Sequence, residues 1–199
     1  MVIATREGLI AALADLAATP GLQLAHLDVF AKHVRFSAEL LCTLQSPDPT
    51  NPYGRNVIHA CDALECMVAT WTPGVPCLPH DHGGAFGAVR VLQGQALHRI
   101  WSVNSNRLDA VHHHTAAAGA VLRCGPSMVH SMEAHTDDQL LVTLHLYTSA
   151  IDHMVVYDQT TSTTHVVDGA CGAWLPPRDS GLIRSSRAGF FSRADLQAA

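Results

Sequence analysis

Charged side chains are scarce, at 15% of 199 residues, and the net charge is only -5. That balance gives no electrostatic reason to expect nucleic acid or an anionic membrane surface as a partner. No window approaches 18 uninterrupted apolar residues, so no transmembrane helix is expected. The N-terminus has an early acid, Glu7, and no continuous apolar run of signal-peptide type. The six cysteines (42, 61, 66, 77, 124 and 171) form no CxxC pair. They give no basis for a disulfide framework or a structural zinc site. Internal repeats are lacking too. These absences lead us to expect a protein of the reducing cytoplasm, and a monomer or small homo-oligomer is expected.

Apolar residues make up 48% of the chain, enough for a sizeable core in one domain spanning 1–199. Residues 5 to 18 place Leu9, Ile10, Leu13 and Leu16 at helical spacing, with Thr5 as N-cap and Pro20-Gly21 as the stop. A second helical pattern runs from about Asp28 to Leu44 and ends at a proline-rich loop, residues 46–52. From about 57 to 168 the texture changes to short β-branched runs between Gly, Pro, Asn and Asp. Strands are expected near 64–72, 86–93, 95–103, 119–123, 139–148, 152–158 and 163–167, with turns at Gln93-Gly94 and around Asn104 and Asn106. This is a mainly β pattern, a double-sheet jelly roll or small barrel, with the two helices of residues 1–50 packed outside. The tail, 169–199, carries Arg178, Arg184, Arg187 and Arg193 and reads as a solvated wrap-around segment.

Fourteen histidines are the compositional oddity, and histidine is the commonest metal ligand. His80 and His82, at i and i+2, share one face of an extended segment. The run from Gly74 to Gly94 reads G-x5-H-x-H-x4-[Gly87]-x6-G, which resembles the first metal motif of the cupins. His130, after a Gly-rich turn, resembles the single histidine of their second motif, so a cupin jelly-roll barrel is implied. Many cupins carry a glutamate where Gly87 stands. Without it, three neutral imidazoles leave a divalent ion its full charge, which favours an anionic ligand such as a thiolate. Three histidines suit catalytic zinc as well as iron, so donor type alone leaves the metal open.

An ordered set of residues then resembles the cysteine dioxygenase family of thiol dioxygenases: Tyr53-Gly-Arg55-Asn56, Trp71, His80 and His82, Leu92-Gln-Gly94, His130, then Thr143, His145 and Tyr147, and finally Asp152 and Tyr157-Asp158-Gln159. The resemblance implies that His80, His82 and His130 hold Fe(II). It implies that cysteine chelates the metal through sulfur and amine, and that O2 takes the remaining place. The product is then a sulfinate, the second rung of thiol oxidation. Arg55, assisted by Tyr53, pairs with the substrate carboxylate on this view. Thr143, His145 and Tyr147 alternate along one strand and would aim the phenol at the iron.

Two departures stand out. Vertebrate-type members carry a cysteine at the place of Gly87, joined by a thioether to the tyrosine matching Tyr147; here Tyr147 is expected to be uncrosslinked. The family's serine-proline after that tyrosine reads Thr148-Ser149. Arg55 places the chain with the arginine-bearing, cysteine-using class and not with the glutamine-bearing class that acts on 3-mercaptopropionate; 3-mercaptopropionate and, given the room left at Gly87, the bulkier mercaptosuccinate are the alternatives. A non-catalytic metal-binding cupin and a zinc-dependent cupin isomerase or hydrolase are the remaining readings. His112, His113 and His114 read as surface residues of a polar hairpin, Cys77 as a buried inert thiol, and His135, beside Asp137 and Asp138, as solvent-facing.

Overall fold

The computed structural model describes residues 2–104, 106–135 and 140–198. Asp137 and Asp138, and Ser105 of the expected turn, lie outside the described residues. The chain begins with β1 (Val2–Ile3), α1 (Arg6–Ala17), α2 (Leu24–His33), β2 (Arg35–Phe36) and α3 (Ala38–Leu44). The barrel strands follow as β3 (Tyr53–Cys61), β4 (Leu64–Trp71), β5 (Gly87–Gln93), β6 (Gln95–Asn104), β7 (Arg107–Ala117), β8 (Val121–Cys124), β9 (Val129–Ala134) and β10 (Val142–Tyr147). After β11 (His153–Asp158) and β12 (Thr163–Asp168) come a 3-10 turn at Arg178–Ser180, β13 (Ile183–Ala188) and α4 (Arg193–Gln197). No described helix is long and apolar enough to cross a membrane.

Three helices, not two, precede the barrel. Thr5 caps α1 by accepting the Gly8 N–H at 3.1 Å. The apolar run expected as one helix over 28–44 breaks at Val34, and Ser37 opens α3 by accepting the Leu40 N–H at 3.2 Å. The cause of the break is tertiary. Arg90, a buried residue of β5, donates through Nη1 to the Ala31 carbonyl at 2.6 Å and to the Val34 carbonyl. A buried guanidinium thus satisfies carbonyls that a continuing helix would have claimed. The freed segment pairs as β2 in parallel with β1.

A five-stranded sheet runs in the order β3-β4-β10-β5-β8. One face, with Leu64, Cys66, Val68, Ala88, Leu144 and Leu146, packs under the helices. The other, with Met67, Ala69, Trp71, Val89, Val91 and Tyr147, faces the barrel interior. Burial on both faces explains why β4 is buried along its whole length and reads as a near-continuous apolar run. Opposite lie two three-stranded sheets, β7-β6-β9 and β11-β12-β13. The extended segment at residues 77–81 joins them: Cys77 N–H donates to the Met132 carbonyl at 3.0 Å, His80 exchanges both backbone bonds with His130, and Tyr157 N–H donates to the Pro79 carbonyl at 2.9 Å. The two facing layers form the mainly β cupin jelly roll.

Strands β1, β2, β3, β7, β9 and β13 fall outside the expected set. The three consecutive histidines, expected in a polar hairpin, lie within β7, an edge strand whose exposed face tolerates polar residues. The tail does wrap the barrel, but by pairing β13 against β12.

Candidate metal centre

Residues 77–81 present the first two histidines because their backbone is held from both sides. His80 Nδ1 donates to the Leu78 carbonyl at 2.9 Å, which leaves its Nε2 lone pair free. Beyond His82 the chain must turn sharply away from β11. At Gly83, with φ +68°, a Cβ would sit 2.5 Å from the His153 carbonyl oxygen, so only glycine fits. His130 arrives on β9 directly across from His80. One ligand nitrogen from each of His80, His82 and His130 lies within 4.8 Å of the others, and the Nε2 atoms of His82 and His130 face each other at 3.0 Å.

Burial pushes all three imidazoles below their ordinary pKa, and the neighbouring rings add to the shift for His82 and His130. All three are therefore neutral near pH 7, the state a metal ligand needs. The donor set fits a divalent transition metal with open positions.

The sequence pattern alone did not single out His98. Its Nε2 lies 2.8 Å from His130 Nδ1; a metal on His130 Nε2 requires the proton on Nδ1, donated to His98. The inward alternation Ala96, His98 in β6 was the available signal, with both residues buried. His98 is itself held neutral, its pKa pushed down to about 4 chiefly by burial. Half-buried His114 packs edge-on against it at 5.1 Å, which corrects its reading as a surface residue; His112 and His113 are exposed. Outer partners of this kind fix the tautomer and orientation of a ligand. His98→Ala is expected to weaken divalent-metal binding about 10- to 100-fold, measured against a competing chelator. An unchanged affinity would reduce His98 to packing.

Thr143, His145 and Tyr147 all point inward from β10 and are buried. Thr143 Oγ1 lies 2.8 Å from His145 Nε2, and His145 Nδ1 lies 3.0 Å from the Tyr147 oxygen. Trp71 extends the chain, donating its indole N–H to Thr143 Oγ1 at 2.8 Å. Indole can only donate, so Thr143 Oγ1 accepts that bond and keeps a second lone pair and its own hydrogen for His145 Nε2. Burial pushes the His145 pKa down to about 3, so the ring is neutral. Its single proton sets the direction of the chain: on Nε2 it is donated to Thr143 and Nδ1 accepts the Tyr147 O–H, whereas on Nδ1 it is donated to the Tyr147 oxygen and releases that O–H.

The Tyr147 ring lies 4.8 Å from that of His82 and directly over Gly87. A Cβ at position 87 would come within 2.9 Å of the ring. The room expected at Gly87 is therefore taken by Tyr147, with Cys124 on its far side, and does not enlarge the pocket. Cys77 is buried, accepts the Met132 N–H at 3.1 Å and has its pKa pushed up to about 12 by burial. It is held as an unreactive thiol.

Arg55 and Tyr53 face the same interior but are engaged by the C-terminal segment. Arg55 Nη1 donates to the carbonyls of Gly169, Ala170 and Cys171 at 3.0, 2.8 and 2.7 Å. Tyr53 accepts the Ala173 N–H at 2.9 Å and packs edge-on against Trp174. Asp81, between the first two histidines, is also bound to the tail: Arg193 of α4 grips it through Nε at 2.8 Å and Nη2 at 2.7 Å. Arg184 pairs with Asp152 and Asp168, and Arg187 lies over the Phe191 ring. These three tail arginines therefore have protein partners.

Among solved structures the chain is similar to a conserved protein with a double-stranded beta-helix domain from Klebsiella pneumoniae subsp. pneumoniae, at 13% identity over 60% of this chain and 95% of that one, with TM-score 0.47. It is also similar to TT1209 from Thermus thermophilus, at 14% identity over 55% and 94% of the two chains, with TM-score 0.45. The sequence profile of the family described as cysteine dioxygenase type I matches residues 46–160. That span is more than half of the chain and contains Arg55, all three converging histidines and the Thr143–His145–Tyr147 series. The chain belongs to the cysteine dioxygenase type I family.

Proposed function

We propose that this protein is an Fe(II)-dependent thiol dioxygenase whose principal substrate is L-cysteine and whose product is cysteine sulfinic acid. The observation that carries the reading is the buried all-histidine face of His80, His82 and His130 beside Tyr147, whose ring lies 4.8 Å from that of His82. His80, His82 and His130 would hold a ferrous ion, which would supply the place where thiolate and dioxygen react. Both oxygen atoms end on sulfur, and the electrons sulfur loses are those dioxygen gains, so no outside reductant is required.

The protein's own groups set the conditions. Three neutral imidazoles add no negative charge, so the site favours a substrate that arrives as an anion, as a thiolate does. The Trp71–Thr143–His145 chain holds the Tyr147 hydroxyl in place, and with the His145 proton on Nδ1 that hydroxyl is the donor to the substrate. Burial raises the Tyr147 pKa well above its ordinary value, so the phenol keeps its proton at neutral pH. Arg55 is the carboxylate partner, through Nη2, since Nη1 is committed to the three carbonyls of 169–171.

The test is oxygen uptake by protein loaded anaerobically with Fe(II), across L-cysteine, 3-mercaptopropionate and mercaptosuccinate. L-Cysteine is expected to give the highest kcat/KM, and uptake with none of them would overturn the assignment. Arg55→Ala is expected to raise KM for L-cysteine about 10- to 100-fold, the range for losing a charge-assisted hydrogen bond. The iron content of that variant should be unchanged, which distinguishes a substrate clamp from a support of the metal centre.

A further inference from the structure

Glu65 is a buried carboxylate on the inward face of β4, only 6% exposed. It shares the β4 alternation of Met67, Ala69 and Trp71, all in the barrel interior. Its cross-strand partner is Tyr147, the residue that packs against His82. One oxygen is fixed: Oε2 accepts the Ile151 N–H at 3.0 Å. The other, Oε1, is buried and has no hydrogen-bond partner. It forms an ion pair with Arg55 Nη2 at 3.6 Å, a separation beyond good hydrogen-bond length. The interior beside Tyr147 therefore holds one cation and one anion, each with unspent hydrogen-bonding capacity. A buried carboxylate oxygen left in that state is costly unless something binds to it.

We infer that Glu65 and Arg55 together form a reader for the α-amino acid head of the substrate, with Glu65 the residue that selects thiols bearing an amine over thiols bearing only acid groups. This rests on the thiol dioxygenase reading for the reaction but not for the binding. An α-amino acid carries the same two charges in the opposite sense. Its carboxylate meets Arg55 Nη2, and its amine, which keeps N–H donors in either protonation state, meets Glu65 Oε1. A thiol with carboxylates alone leaves Oε1 without a hydrogen bond, competes with it for Arg55 and brings a like charge beside it. Sites built around a polar group discriminate strongly against analogues that leave that group unpaired. The pair therefore favours L-cysteine and disfavours 3-mercaptopropionate and, with its second carboxylate, mercaptosuccinate.

The experiment measures dissociation constants of L-cysteine and 3-mercaptopropionate by anaerobic calorimetry on the Fe(II)-loaded protein, wild type and Glu65→Gln, alongside oxygen uptake. Glutamine keeps the shape and can still accept from Ile151. The wild type is expected to bind L-cysteine at least tenfold more tightly than 3-mercaptopropionate. Glu65→Gln should lower that ratio about tenfold, by weakening L-cysteine and strengthening the acid. A ratio that stays within twofold of the wild type, with oxygen uptake intact, overturns the role of Glu65 and leaves the dioxygenase reading standing. A shifted ratio with no uptake by either protein supports the amino acid reader and removes the dioxygenase. Should the variant fail to fold, the wild type still decides: equal affinities for the two thiols overturn the inference.

Discussion

His130→Ala is expected to abolish Fe(II) retention and, with it, thiol-dependent oxygen uptake. The side chain has two roles: Nε2 faces His82 Nε2 at 3.0 Å, and Nδ1 ties the ring to His98 at 2.8 Å. Alanine removes both yet keeps the backbone bonds between residues 130 and 80, at 2.9 and 3.0 Å. His80 and His82 therefore stay in place, and what is lost is the third ligand. Since removal of an outer partner alone costs 10- to 100-fold in metal affinity, loss of the ligand itself should exceed about 100-fold. The check is iron stoichiometry after anaerobic loading and desalting, with a thermal melt to show that the barrel is intact. One equivalent of retained iron in a folded variant would falsify the three-histidine centre.

The second large effect is on stability. Arg193→Ala is expected to cost about 3 kcal/mol, the low end for breaking a buried ion pair from one side. Asp81 has a side chain only 2% exposed and is held bidentately by Arg193. The low end applies because Asp81 keeps two backbone donors, Gly83 N–H at 3.1 Å and Val155 N–H at 2.9 Å. In a chain of this size such a loss lowers Tm by about 6–12 °C. Since Asp81 lies between His80 and His82, the same variant should also hold Fe(II) less tightly. The measurement is a pair of thermal melts on metal-free protein, with Arg187→Ala as the control, whose exposed guanidinium stacks on Phe191 and should change little. Equal Tm values for the two variants would show that the tail does not brace the metal-ligand segment.

Much of the centre is legible in the amino-acid sequence because its signals are local. Alternation along one strand forces Thr143, His145 and Tyr147 onto one face, and the His80/His82 spacing does the same on an extended segment. The glycines around them mark where the backbone must turn. The expected helix over 28–44 failed for a different reason. Its periodicity was continuous, but Arg90, 56 residues from Val34 in sequence, claims the carbonyls at the break. Likewise β7 was missed because an edge strand has one solvent-facing side and so lacks the apolar density that marked β4 and β10.

By itself the sequence determined the mainly β class, the pair His80 and His82 with a third histidine to follow, and the residue types of a thiol-handling site. Short-range spacing carries that information, since strand geometry is the same wherever the strand lies. Only the tertiary structure decided what stands around those residues. His98 supports His130 from 32 residues away, Arg193 grips Asp81 from 112 away, and the carbonyls of 169–171 engage Arg55 from more than 100 away. Glu65 meets Arg55 because β3 and β4 are neighbours, and reaches the site because β10 lies on its other side. Such contacts depend on strand order and on how the two sheets face each other. That arrangement is set by the packing of the whole core, and no local pattern of residues encodes it.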